Sequence, residues 1–294
     1  MKFMELWELY LKSRPLSSGT IRNYRYKEKK FDSIWEREIE EISALEIQTL
    51  YNSVKRQSAK YDYDFITLKS VFQFAVELGI IKETPIRFAL KRSAPSKTHE
   101  LLTKEDIMRL VQYLQNEKEN KVKATLLLVE LLTGARVSEI RAFQKKNIDT
   151  KKHTVLIAHQ YNVIGEDGTE GLATLKTQEA ERLVYLPRGV RKVLYDLIRN
   201  LKDEEFVFSR NGKPYSIVTI NLYLAQVCDK LDIVRLSTHK LRALYATIAI
   251  YAGVNVFTIS GQMGHKSLKE TERYFKRLPR YDLDSLKKID KFLK

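Results

Sequence analysis

Residues 131–143 read LLTGARVSEIRAF, a stretch in which an apolar run stops at a glycine, an arginine follows two residues later, and a glutamate follows three after that. Three residues is close to one helical turn, so Arg136 and Glu139 share a face. A guanidinium beside a carboxylate, at a helix start where backbone N–H groups point outward, is suited to receiving a phosphate. The same two residues also read as a surface ion pair. Two stretches nearer the C-terminus give the pair its meaning.

The first, STHKLRALYATIAIYAG at 237–253, supplies His239 and Arg242, again three apart on a helix whose other face is apolar. A paired imidazole and guanidinium can hold one non-bridging phosphate oxygen and a transferring proton together. The second, GQMGHKSLKETERYF at 261–275, places Gly264 as a turn before His265, with Tyr274 nine residues later on a helix started by Ser267. The chain has 16 tyrosines, so weight lies in the spacing and not in the residue. GQMGHKS lacks the adjacent Gly-Lys and the four-residue gap of a phosphate loop, which sets nucleotide binding aside.

Outward from these stretches, 153–158 (HTVLIA), 172–176 (LATLK) and 182–187 (RLVYLP) are rich in β-formers and divided by glycine or charged turns, which predicts a small antiparallel sheet. FVF at 206–208 reads as a brief further strand, and helix resumes from Gly189. Before residue 90 there is no convincing period of two. Helical spacing, the start signal Ser17-Ser18 and the stops Gly79 and Pro85 predict about four helices. KRSAPSKTH at 91–99 is polar and aperiodic, and Thr103 is an N-cap for a new helix. The expectation is a mainly α chain: a helical domain over 1–90, a linker over 91–100, and an α+β domain with a small antiparallel sheet over 101–294.

The 52 lysines and arginines exceed the 37 acids by 15, with +5 in residues 1–97 and +10 in residues 98–294. An excess on both parts points to a basic surface that encloses a polyanionic partner, nucleic acid above all. Cys228, the single cysteine, lies in the apolar pattern Leu224, Val227, Leu231 and reads as a packed thiol in a reducing compartment. The most apolar run, Leu126 to Leu132, is interrupted by Glu130 and falls short of the roughly 18 residues of a membrane helix. Glu5 and Glu8 interrupt any signal-peptide core. A cytoplasmic chain with no membrane association is expected. The histidines show no zinc spacing and there is no HExxH, so neither a metal nor another cofactor is expected.

Arg136 in TGARVSEI, His239-Lys-Leu-Arg242, MGH at 263–265 and Tyr274 resemble the four ordered boxes of the tyrosine recombinase (phage integrase) family. The resemblance runs by motif from about 101 to 278, and by size and helical character over the N-terminal part. It implies a core-binding helical domain followed by a catalytic domain, clamped around duplex DNA chiefly through phosphates. It also implies site-specific cutting and rejoining of DNA through a 3′-phosphotyrosyl intermediate, with strand exchange via a Holliday junction. Tyr274 would be the nucleophile, Arg136 and Arg242 the phosphate clamp, His239 a hydrogen-bond donor to the phosphate or the group that manages the tyrosine proton, and His265 a further donor. Lys176 in LATLKTQEAERLVYLP matches the family's hairpin lysine, the acid for the departing 5′ oxygen, or is a solvated turn lysine. Glu139 either orients Arg136 or is a helix-surface acid.

Arg22, Arg25, Lys29 and Lys30 are candidate DNA contacts, with a solvated basic face as the competing reading. The tail 281–294 carries Leu283, Leu286, Ile289, Phe292 and Leu293 on one broad helical face. It either folds back on its own domain or, as the resemblance implies, docks on a neighbour in a tetramer on two DNA sites, formed with copies of itself or with a partner recombinase. In size the chain resembles Xer recombinases and small integrases of mobile elements. A type IB topoisomerase shares the Arg, Lys, Arg, His, Tyr chemistry but relaxes supercoils as a monomer; a DNA-binding regulator without catalysis is the other alternative.

Overall fold

The structure, a computed structural model, describes residues 1–55, 61–88, 102–175, 181–265, 267–268 and 271. The chain divides into two units, Met1–His99 with Val163–Glu170, and Glu100–Asn162 with Gly171–Lys294.

In the first unit, α1 (Phe3–Ser13), α2 (Ser18–Glu28), α3 (Asp32–Trp35), α4 (Ala44–Lys55) and α5 (Tyr61–Glu77) succeed one another, with a short 3₁₀ turn on either side of α3. The expected punctuation is where the sequence puts it. Ser17 caps α2 by accepting the Thr20 N–H, and Gly79, at φ 71°, lets the chain leave α5. The core is aromatic: Phe3, Trp7, Tyr10, Phe31, Phe65 and Phe72 are all buried, with ring centroids mostly 5 to 6 Å apart.

The second unit opens with α6 (Lys104–Asn116), which Thr103 caps reciprocally with Asp106. Next come α7 (Lys121–Thr133) and α8 (Val137–Arg141). The strands β1 (Ile148–Asp149), β2 (Thr154–Ile157), β3 (His159–Val163), β4 (Glu170–Thr174) and β5 (Arg182–Tyr185) precede α9 (Arg188–Ile198). The chain continues through β6 (Ser209–Arg210), β7 (Lys213–Pro214), α10 (Ile217–Lys230), α11 (Thr238–Tyr251) and α12 (Val256–Met263). Residues 126–131 of α7 are buried on every side, so this helix is the axis on which α6, α9, α10 and α11 pack. Its apolar length serves that core, and among the described residues no helix is long and apolar enough to cross a membrane.

The mainly helical architecture with antiparallel strands is as expected, but the strands divide differently. β2 pairs antiparallel with β5, Val155 opposite Val184, and β1 joins on the other side. β4 pairs instead with β3, in a separate two-stranded sheet. The polar sequence HQYNV of β3 has no apolar alternation to announce it. FVF is not a strand: Phe206 makes an isolated bridge to Gln144 and Val207 N–H donates to the Phe143 carbonyl, while the hairpin is formed by β6 and β7 just beyond. Buried Phe208 shows why the triplet is apolar; it fills core.

Candidate active site

The turn TGAR joins α7 to α8. Gly134 ends α7 in the left-handed region, φ 67°, and its N–H donates to the Glu130 carbonyl at 2.9 Å. A Cβ here would lie 2.2 Å from the Tyr245 ring, so only glycine lets α11 approach so closely. Arg136 is then the N-cap of α8. Its backbone N–H donates to Glu139 Oε2 at 2.8 Å and its Nη1 to Oε1 at 2.9 Å, while two-fifths of its side chain stays exposed. The guanidinium is thus held from behind and open in front.

Glu139 is buried and carries more than Arg136. Arg182 Nη2 donates to its Oε2 at 2.7 Å, and Arg182 Nη1 to its Oε1 at 3.3 Å. Burial pushes the Glu139 carboxyl up; the hydrogen bonds and charge of Arg182, with the backbone and charge of Arg136, outweigh it and hold the group below its ordinary value. The same Arg182 donates from Nε to the Gln262 carbonyl at 2.9 Å and from Nη2 to the Met263 carbonyl at 3.2 Å. Its guanidinium lies against Gly264, where a Cβ would sit 2.6 Å from Nη1. One arginine of β5 therefore fixes the carboxylate behind Arg136 and the backbone that leads into His265.

Sequence reasoning missed Arg182, although a signal was present. Arg182, Val184 and Leu186 share one face by the period of two, and the latter two are fully buried. A charge on the inward face of a strand asks for a buried partner.

α11 starts at Ser237, whose side chain accepts the Lys240 N–H. His239 stands exposed in its first turn, and Arg242, one turn further, is buried at 5% exposure. Arg242 Nη1 donates to the Gly134 carbonyl, two residues before Arg136. α12 ends at Gly264, φ 66°, whose carbonyl accepts from Arg136 Nη2 at 3.3 Å. His265 is next, with Nδ1 2.6 Å from the hydroxyl of buried Thr271, which fixes the ring. Arg136, Glu139, Arg242 and the backbone before His265 are thereby joined through short bonds, with His239 one turn from Arg242. Lys176 and Tyr274 lie outside the described residues, as does the tail 281–294.

In the first unit, Arg25 is held by Glu8 and by Glu28, and Lys30 by Asp64. Arg22 and Lys29 are exposed. Arg25 and Lys30 are thus paired within their own unit, while of the two exposed candidates Arg22 lies beside Gly168 and its charge reaches Asp167.

Residues 100–280 match the phage integrase family. The chain belongs to that family, the tyrosine recombinases. It is similar to the tyrosine recombinase XerD of Staphylococcus aureus, 26% identical over 268 residues and covering 88% of each chain. It is also similar to XerC of Lactobacillus delbrueckii subsp. bulgaricus, at 23% over 233 residues, 78% of this chain and 76% of the relative. Among solved structures, the Tn1549 transposon integrase with circular intermediate DNA superposes at a TM-score of 0.81 with 19% identity, each chain covered in full. A lambda integrase dimer on a core site superposes at 0.66, also at 19% identity, with 95% of this chain and 96% of that one covered.

Proposed function

We propose that this tyrosine recombinase cuts and rejoins duplex DNA at specific sites, with Tyr274 as nucleophile and Arg136, Lys176, His239, Arg242 and His265 around the scissile phosphate. The observation that carries this reading is the double tie of the arginines. Arg242 donates to Gly134 and Arg136 to Gly264, so three segments far apart in sequence bring their functional residues to one place.

A phosphodiester resists attack because its charge repels nucleophiles and its alkoxide is a poor leaving group. Arg136 and Arg242 neutralise the non-bridging oxygens, and the open front of Arg136 suits that task. The Tyr274 oxygen attacks phosphorus, the bond to the 5′ oxygen breaks, and Lys176 gives that oxygen its proton. His239 hydrogen-bonds the phosphate or handles the tyrosine proton, and His265, held by Thr271, donates to the transition state. The 3′-phosphotyrosyl bond keeps the energy of the broken one, so a 5′ hydroxyl from a second duplex reverses the step without ATP and exchange passes through a Holliday junction.

The work takes place in the cytoplasm on two DNA sites held by four subunits, copies of this chain or pairs with a partner recombinase. The apolar face of the tail 281–294 docks on a neighbour and couples Tyr274 placement to assembly. Relatives of similar length and the lambda integrase tetramer on a Holliday junction support this arrangement. The basic excess supports a two-domain clamp on phosphates, the helical domain contributing Arg22 and Lys29.

Tyr274→Phe tests the assignment. The variant should bind a target site as wild type does and yield no SDS-resistant adduct on a nicked suicide substrate. A persisting adduct would move the nucleophile elsewhere.

A further inference from the structure

β5 is the last strand of its sheet among the described residues, with β2 on one side. The Leu186 N–H turns to that side and donates to the His153 carbonyl at 2.8 Å, so the N–H and C=O of Tyr185, one residue earlier, face the other. A strand edge of this kind leaves a peptide group in need of partners. The side chain of Gln262, on α12, supplies both. Its Oε1 accepts the Tyr185 N–H at 3.3 Å and its Nε2 donates to the Tyr185 carbonyl at 3.0 Å. A side-chain amide carries a donor and an acceptor on one plane, as the peptide unit of a further strand would, and only asparagine and glutamine have one.

The strand end that Gln262 grips is itself fixed. Arg191 of α9 donates from Nε to the Leu186 carbonyl at 2.8 Å and from Nη2 to the Tyr185 hydroxyl at 2.6 Å, with its guanidinium 5.3 Å from the centre of the Tyr185 ring. The other hold on α12 is Arg182, which donates to the Gln262 and Met263 carbonyls. The two holds start three residues apart on β5, about 10 Å along the strand. One alone would let the end of the helix pivot; the pair fixes its direction as well as its place. What depends on that direction is His265. It follows Gln262 by three residues, and its N–H donates to the Ser260 carbonyl at 3.1 Å, while the Gly264 N–H donates to the Gly261 carbonyl at 3.0 Å. The backbone from Ser260 to His265 is thus one hydrogen-bonded piece, and turning the end of α12 turns the imidazole.

We propose that Gln262 is a positioning residue for His265: by completing the edge of β5 with its amide it sets the end of α12, and with it the imidazole, against the scissile phosphate. The inference rests on the role proposed for His265. Without the amide bonds the helix end stays attached through Arg182, but its direction is no longer set. A hydrogen-bond donor displaced by about an ångström at a transition state costs more in rate than two partly exposed hydrogen bonds contribute to the fold.

The test uses the full chain. Gln262→Met keeps the length of the side chain and removes both bonds, and Gln262→Glu keeps an acceptor but loses the donor. In single-turnover cleavage of a suicide substrate each should be slower than wild type by about tenfold, with affinity for the site unchanged. A general weakening of the fold would slow any background by the same factor, so both substitutions are repeated in His265→Ala, where they should change the remaining rate by less than about twofold. Hydrogen exchange of the free proteins, read by mass spectrometry, follows the hold itself. The amides of Tyr185 and of residues 260–265 should exchange about tenfold faster in Gln262→Met, and those of α7 and α9 at the wild-type rate. The same slowing in both backgrounds, unaltered exchange at the helix end, or faster exchange throughout the domain would overturn the proposal. If His265→Ala cleaved as fast as wild type, the role assigned to His265 would fail instead, and the exchange would still decide whether Gln262 sets the helix end.

Discussion

The two units bury charge in different ways. In the first, Lys27 is 7% exposed, yet its Nζ donates to the Thr67 hydroxyl at 2.6 Å and to the Tyr63 carbonyl at 3.3 Å, and lies 3.6 Å from Asp64, which also takes Lys30. Burial lowers the Lys27 ammonium and Asp64 acts against that, a closed set in an aromatic core. In the second unit, Arg182 and Glu139 are just as deep, but their bonds end on Arg136, whose front is open, and on the backbone before His265. A charge buried within a completed set holds a fold together. A charge buried behind an exposed guanidinium holds a site in register.

The sharpest way to break this contrast is Arg182→Ala. It leaves Glu139 with one guanidinium fewer and frees the Gln262 and Met263 carbonyls, so we expect cleavage to fall by a factor on the order of 100 or more while duplex binding persists. Removing one partner of a buried pair also costs about 3–5 kcal/mol, to be read by denaturant unfolding. Arg182→Lys should restore little, because one ammonium cannot span both carboxylate oxygens and the backbone. The stabilising part depends on pH. Glu139 is held below its ordinary value, so its contribution is complete above the unfolded carboxylate range near 4.5 and is lost as pH falls through the lower folded value. An Arg182→Ala variant that cleaves normally would refute the positioning role.

Asp64→Ala should act on stability alone. It strands Lys27 in the aromatic core and should cost about 3 kcal/mol by chemical denaturation, with cleavage per folded molecule within about twofold of wild type. A loss of cleavage as large as that of Arg182→Ala would erase the distinction between the units.

The features legible in the sequence obey local rules. Ser17 and Thr103 as caps, Gly134 and Gly264 as helix ends, and the arginine pairs one turn apart all depend on neighbours within four residues. The features that escaped depend on partners far away. β3 has no alternation because its facing strand, not its own pattern, defines it. Arg182 meets Glu139 across 43 residues and the Gln262 and Met263 carbonyls across about 80. Arg25 looks like a free cation on a basic helix, yet Glu8, 17 residues earlier, occupies it. Glu130 reads only as an interruption in an apolar run, and its burial needs the helices that pack round α7.

The smallest expected effect concerns that basic helix. Neutralising exposed Arg22 or Lys29 with glutamine should each lessen the salt dependence of binding to unrelated duplex by about one unit of slope, through one phosphate contact fewer. Arg25→Gln should change the slope little, since its charge is already answered by Glu8 and Glu28. Equal slopes for all three would return the helix to a solvated face.

The central claim is that the arginine cluster serves a tyrosine nucleophile, and the most direct measurement is to find where DNA becomes attached. Wild type trapped on a suicide substrate, digested with nuclease and protease and read by tandem mass spectrometry, should yield one modified peptide, with the 3′-phosphonucleotide on Tyr274 and the 5′ end of the cut strand left as a hydroxyl. A nucleotide on any of the other 15 tyrosines, on a serine, or attached through a 5′ phosphate would contradict the account.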